Sequence, residues 1–149
     1  MYKKVLVPLD GSHMSESILE HVEAIASGCG VPEVILLRVR EPLDKDVKKI
    51  LDPHIAKDLE DAYDKDDRKY LDKIAGALIK KGLAVKTEVL AGNPADKIIE
   101  YVHKNGIDLV IMSTHGRSGV SRLVFGSVAE KVIRQLDVPV LIKPAAAGE

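Results

Sequence analysis

Aromatic residues are nearly missing from this chain of 149 residues, which has one Phe, four Tyr and no Trp. A base-stacking platform of the kind that grips single-stranded nucleic acid is therefore not expected. Charge of one sign is missing too. The 22 Lys and Arg stand against 23 Asp and Glu, a net charge of −1, so nothing draws the whole protein to nucleic acid or to an anionic membrane. The one cysteine, Cys29, cannot make an internal disulfide, which fits a reducing cytoplasm. No apolar run approaches the ~20 residues of a membrane span. The run after Met1-Tyr2-Lys3-Lys4 soon meets Pro8 and Asp10 and is too short for a signal peptide. A soluble, cytoplasmic protein with no membrane or nucleic-acid partner is expected.

What is present is ordinary globular material, 46% apolar and 30% charged, in a chain long enough to bury a core. One domain is expected over residues 1–144, followed by a short tail, 145–149, expected to fray. Five short apolar runs alternate with helical patterns: residues 5–9, 34–39, 84–90, 108–113 and 138–143. Continuous runs suggest strands covered on both faces. The third run alternates Val85, Thr87 and Val89 with Lys86 and Glu88 and reads as an edge. Strand and helix in alternation predict an α/β fold with an open, doubly wound, five-stranded parallel sheet, order 3-2-1-4-5, with helices on both faces.

The helices carry end signals. The first is expected to start near Ser12 or Ser15, to stop at Gly28, and to show Ile18, Val22, Ile25 and Ala26 on one face. Residues 41–57, punctuated by Pro42 and Pro53, read as loop. A helix is expected over residues 58–81 with Leu59, Tyr63, Tyr70, Ile74 and Leu78 in phase. The next begins at Asn93-Pro94, shows Ala95, Ile98, Ile99 and Val102, and ends at Asn105-Gly106. The last begins at Gly126-Ser127 and presents Val128, Val132, Ile133 and Leu136. Asp64, Asp66 and Asp67 lack the glycine and terminal glutamate of a calcium loop and read as a solvated helix face.

The most informative stretch is Ser113-Thr114-His115-Gly116, nine residues, then Gly126-Ser127-Val128. A strand that breaks into a loop of small residues and ends at a helix N-terminus can hold phosphate, since free backbone N–H groups and the helix dipole favour an anion. Glycine allows close backbone approach. In an open parallel sheet of this order, ligands settle between the carboxyl ends of the first and fourth strands. Pro8-Leu9-Asp10 and Met112-Ser113 both end there. Asp10 reads equally as an acceptor for an adenine amino or ribose hydroxyl group and as a turn or capping aspartate. Arg117, beside Gly116, suits a polyphosphate, and His115 contacts phosphate or orients the loop, whereas Arg122 reads as routine surface charge. Val39 and Met112 are candidate walls of a slot for a base, or plain core.

These residues together resemble a universal stress protein of the small, nucleotide-binding kind. The resemblance is carried by residues 5–12, by Gly92-Asn93-Pro94-Ala95, by the glycine motif and by Val138-Pro139-Val140-Leu141-Ile142. It implies ATP binding, with Asp10 and the backbone at Val39 holding adenine and with Met112 and Ser113 near base and ribose. Gly116, Gly126, Ser127 and Val128 would cradle ribose and phosphates, accompanied by Mg²⁺ or Mn²⁺. It also implies a homodimer through the fifth strand and a stress-response or signalling role, with the protein partner unnamed. Ser113 departs from the family pattern by standing where the first motif glycine would be. Serine is small enough for close approach, but a left-handed backbone there would be disfavoured.

Other readings compete. A receiver-type signalling domain needs an acidic pair after the first strand and an acceptor Asp after the third, and the sequence offers only Asp10 and then Val89-Leu90-Ala91-Gly92. An ATPase needs a group that orients water at the γ-phosphate. No Walker lysine motif is present, so any turnover would be slow or partner-dependent, and the protein reads as not primarily an enzyme. An interaction module without nucleotide is the remaining alternative. Nucleotide would be expected to order the loop 116–126.

Overall fold

The computed structural model describes residues 1–114 and 126–144. Five strands, β1 (Lys4–Pro8), β2 (Glu33–Arg40), β3 (Val85–Ala91), β4 (Leu109–Ser113) and β5 (Val140–Lys143), form one sheet in the order β3-β2-β1-β4-β5. All pairings are parallel, running through Val5↔Val34, Val5↔Leu109, Val34↔Val85 and Val110↔Val140. The sheet order and class are those read from the sequence. The carboxylate of Asp108 accepts the Lys3 and Lys4 N–H groups at 2.8 and 3.1 Å, which pins the start of β1 to β4.

Successive strand side chains point to opposite faces and build two cores. Val5, Val7, Val34, Leu36 and Ile111 face helices α2 (Leu19–Cys29) and α4 (Pro53–Lys80), meeting Val22, Leu71, Ile74 and Leu78. Leu6, Ile35, Leu37, Val110 and Met112 face α5 (Pro94–Asn105) and α6 (Ser127–Gln135), meeting Ile98, Val102, Ala129 and Val132. Strands β1, β2 and β4 read as near-continuous apolar runs because both their faces are covered.

Several boundaries differ from the sequence reading. The first helix is broken: α1 (His13–Glu16) ends before the fully buried Ile18, and α2 follows. The Ser15 hydroxyl donates to the Ser12 carbonyl at 2.9 Å, and such side-chain bonds compete with a continuous helix. Lys143 Nζ donates to the Ser17 carbonyl at 3.4 Å, so the break is held from β5. The stop lies at Gly30, not Gly28: Gly30 sits at φ 60°, ψ 46°, and its N–H bonds the Ala26 carbonyl.

The stretch read as loop before residue 58 holds a short helix, α3 (Lys45–Ile50), and the first turns of α4. Asp44 accepts from the Asp46 N–H, and Asp52 from the His54 N–H, so both helices are capped, and Pro53 sits in the first turn where its missing N–H costs nothing. With 28 residues α4 is about 42 Å long, whereas β2 spans about 26 Å. Its packed stripe accordingly starts at Leu71, and Tyr63, expected on the inner face, is 43% exposed. On α6 the buried positions are Ala129 and Val132, while Ile133 faces solvent.

β5 is the edge next to β4, as the expected order has it; Leu141 packs against one core and Val140 and Ile142 against the other, and all four residues of the strand stay partly exposed. No helix among the described residues is long and apolar enough to cross a membrane.

Candidate functional site

β1 and β4 are neighbours, but the chain runs from β1 toward β2 and from β4 toward β5, so a crevice opens between their carboxyl ends. A cavity of about 1140 Å³ lies there. Pro8, Leu9, Asp10, Val39, Met112, Ser113, Gly126, Ser127 and Val128 all line it. The other site candidates, His115, Gly116 and Arg117, lie outside the described residues, as do Arg122 and the tail 145–149.

The turn after β1 is fixed by short-range bonds. Asp10 Oδ1 accepts the Ser12 N–H at 2.9 Å, the Asp10 N–H donates to Ser15 Oγ at 3.3 Å, and Ser12 Oγ accepts the Ser15 N–H at 3.1 Å. Gly11 makes the corner at φ 88°, a conformation that L side chains avoid. Asp10 is thus a turn aspartate and also part of the cavity wall. Behind it, the Tyr70 hydroxyl is buried. It makes no hydrogen bond of ordinary geometry, and Ser15 and Glu16 are polar groups that act on it. Burial, then the charge of Glu16, pushes its phenol well above the usual tyrosine range.

Ser113 is the last residue of β4, paired in register with Lys143. Its backbone is therefore extended, and serine there costs no left-handed strain. The helix termini differ. Asp44, Asp52 and Asn93 cap α3, α4 and α5 with their side chains, whereas α6 begins at Gly126, φ 83°, with no side-chain cap. Among the described residues no side chain caps the first turn of α6, which opens on the cavity.

The opposite wall comes from β2 and α4. The Leu37 carbonyl accepts the Leu9 N–H at 2.8 Å, on the β1 side of the strand, and the Arg40 carbonyl accepts the Gly92 N–H at 3.0 Å, on the β3 side. By alternation the backbone of Val39 faces β1 again, one step past that pairing, at the crevice. Beside it, Arg38 Nε lies 3.3 Å from Asp67 Oδ1 and Arg40 Nε 3.2 Å from Asp67 Oδ2, with side chains only 13–15% exposed. The Arg40 contact is one of charge, because its N–H is not aligned for a hydrogen bond. Arg38 Nη1 donates to the Val39 carbonyl at 2.8 Å.

Sequence reading missed this charged wall, and it placed Asp67 on a solvated face. The available signal was a pair of arginines two apart in an apolar strand, which puts both on one face. Asp64 bonds Arg68 at 2.8 Å on the outside of α4, and Asp66 lines the cavity. Among the described residues no group of three or more His, Cys, Asp or Glu converges as a metal site.

The model of the universal stress protein family matches residues 1–144. Universal stress protein MJ0577 of Methanocaldococcus jannaschii is 30% identical over 154 residues, spanning 95% of this chain and 94% of its own. A solved structure of MJ0577 matches with a TM-score of 0.86 over 99% of both chains. More distant structures show the same fold. A universal stress protein in complex with cAMP is 22% identical, with a TM-score of 0.64 over 97% of this chain and 98% of that one. A family protein from Arabidopsis thaliana with AMP bound is 18% identical, with a TM-score of 0.67 over 97% and 93%. This chain, in sheet order, motif and match, belongs to the universal stress protein family.

Proposed function

We propose that the crevice binds an adenine nucleotide, ATP with a divalent cation, and that the protein works as a dimeric, nucleotide-dependent stress-response or signalling module of the cytoplasm. The observation that carries the reading is the side-chain-free start of α6 at Gly126, opening on the cavity that Asp10, Val39 and Ser113 share. In this arrangement Asp10 and the Val39 backbone take the base, and Met112 and Ser113 flank base and ribose. Gly126, Ser127 and Val128 meet ribose and phosphates, together with His115, Gly116 and Arg117. Residues 1–144, the span of the family match, then form the one working domain.

A helix dipole contributes only ~0.3–1 kcal/mol, whereas micromolar affinity needs about 8 kcal/mol, so charge-assisted hydrogen bonds and base burial must supply most of it. The cation would ride on phosphate oxygens and water. Dimerisation through β5 is supported by its apolar, half-covered edge, and the cytoplasmic setting by a free, exposed Cys29.

Titration of ATP and Mg²⁺ into nucleotide-free protein by calorimetry tests the reading. Micromolar binding is expected, and Gly126→Asp is expected to weaken it about 100-fold or more, near 2.7 kcal/mol, by placing a carboxylate where phosphate would sit. Absence of binding at millimolar ATP, or full binding by a folded variant, rejects the assignment.

A further inference from the structure

We propose that Tyr63 is the aromatic wall of the base slot and stacks on the face of the base that the end of the sheet leaves open. The proposal rests on the nucleotide reading of the same cavity and adds to it the side chain that covers the base.

Helix α4 runs antiparallel to β2. The chain leaves α4 near the start of that strand, where the Val34 N–H donates to the Ala84 carbonyl at 2.9 Å. At the strand's other end Asp67 of α4 meets Arg38 and Arg40 at 3.3 and 3.2 Å. Leu71, Asp67 and Tyr63 follow one another at four-residue steps and so share the face of α4 that docks on the sheet. Each such step is about 6 Å along the axis, and helical side chains lean toward the N-terminus. Tyr63 therefore projects past the carboxyl end of β2, where no described strand lies beneath it. That is why an inward position is 43% exposed, and there it lines the cavity.

Across the slot the bed is apolar, since Val39, Ile98 and Met112 are buried in the core on the α5 and α6 side. A base held at its edge by the Val39 backbone continues the plane of the sheet and lays one face on that bed. Its other face turns toward α4, where Arg38, Arg40 and Asp67 are already engaged with one another. Among the described residues that line the cavity, Tyr63 carries the one aromatic ring. Every base offers a π-face to such a ring in an offset stack, and a tyrosine has only two side-chain torsions to fix. Its polar tip can stay in water while the ring covers the base, so no hydroxyl is stranded.

Calorimetry of ATP with Mg²⁺ on the full chain tests the stack in wild type, Tyr63→Ala and Tyr63→Phe. Tyr63 lies outside the buried stripe that docks α4, and alanine favours a helix, so both variants are expected to fold. Tyr63→Ala is expected to weaken ATP about tenfold or more. Tyr63→Phe is expected to stay within about threefold of wild type, because the ring and not the hydroxyl makes the contact. With four Tyr, one Phe and no Trp the aromatic proton spectrum is sparse. In the saturated complex, nuclear Overhauser contacts are expected from the adenine ring protons to a tyrosine ring, and Tyr63→Phe should remove that tyrosine signal. Absence of such contacts overturns the stack while leaving nucleotide binding intact. So does Tyr63→Ala within about threefold of wild type, or Tyr63→Phe as weak as Tyr63→Ala. Failure of the wild-type chain to bind ATP at all removes the nucleotide reading and this proposal with it.

Discussion

The two walls of the crevice are held by different means. On the β1, β4 and α6 side, positions are set within a few residues of chain: Asp10 bonds Ser12, Ser15 bonds Ser12, and Gly126 starts a helix. On the β2 and α4 side, Asp67 of one element sits between Arg38 and Arg40 of another, almost out of water. The first wall offers backbone donors and a carboxylate from turns that cost little to form. The second offers charged groups that exist in position only when α4 is docked through Leu71, Ile74 and Leu78. Disturbing the first should therefore change ligand affinity more than stability, and disturbing the second should do the reverse.

The sharpest way to break this contrast is Asp67→Ala. It leaves two arginines facing each other without their counter-charge and should cost about 3 kcal/mol, read as a lowered urea midpoint at unchanged slope. A loss under about 1 kcal/mol would mean that the pair behaves like a surface ion pair and that the walls do not differ.

Asp10→Ala comes next. The turn bond from the Ser12 N–H is lost, about 1 kcal/mol of stability, while ATP affinity should fall at least about tenfold. Equal affinity in the variant would leave Asp10 a turn residue only.

Tyr70→Phe is the smallest effect and lies behind the boundary between the walls. At neutral pH it removes a buried hydroxyl that makes no hydrogen bond of ordinary geometry, so stability should stay within about 0.5 kcal/mol of wild type or rise. The pH dependence has a definite sign. The folded phenol titrates above its ordinary value of 10.0, first through burial and then through Glu16. Below that value both folded and unfolded states hold the proton. As pH rises past it the unfolded state loses its proton first, and stability falls. Denaturant titrations from pH 9 upward should show this alkaline loss in the wild-type chain and a shallower one in the variant. Parallel curves would show that Tyr70 contributes nothing to it.

Much of the fold was legible because its signals are local. The apolar runs of β1, β2 and β4 follow from burial on both faces, and Asn93-Pro94 and Gly106 bound α5 through capping chemistry that the sequence displays. The same chemistry at Asp52-Pro53 was overlooked because proline in a polar stretch also reads as a loop, and only the capping bond to His54 distinguishes the two. The break at Ser17 and Ile18 depends on a serine hydroxyl that turns back on its own chain and on Lys143 from the far end of the sequence. Strand ends at the crevice followed once the strand order was inferred, which is why Asp10, Val39, Met112 and Ser113 meet. Arg38 and Asp67 meet through the docking of α4, and no spacing rule in the sequence joins them.

The central position of β1 has a consequence during synthesis. Its β2 neighbour is translated soon after it, but the Asp108 carboxylate that receives the Lys3 N–H comes 105 residues later. At about 5–20 residues per second, one side of β1 waits roughly 5–20 s on the ribosome with its ladder groups unpaired. During that time the growing chain presents an apolar strand edge, Val5-Leu6-Val7, that any other extended segment could join. The crevice comes into being only when β4 closes that edge, so whatever ligand it holds can stabilise finished molecules and cannot rescue unfinished ones.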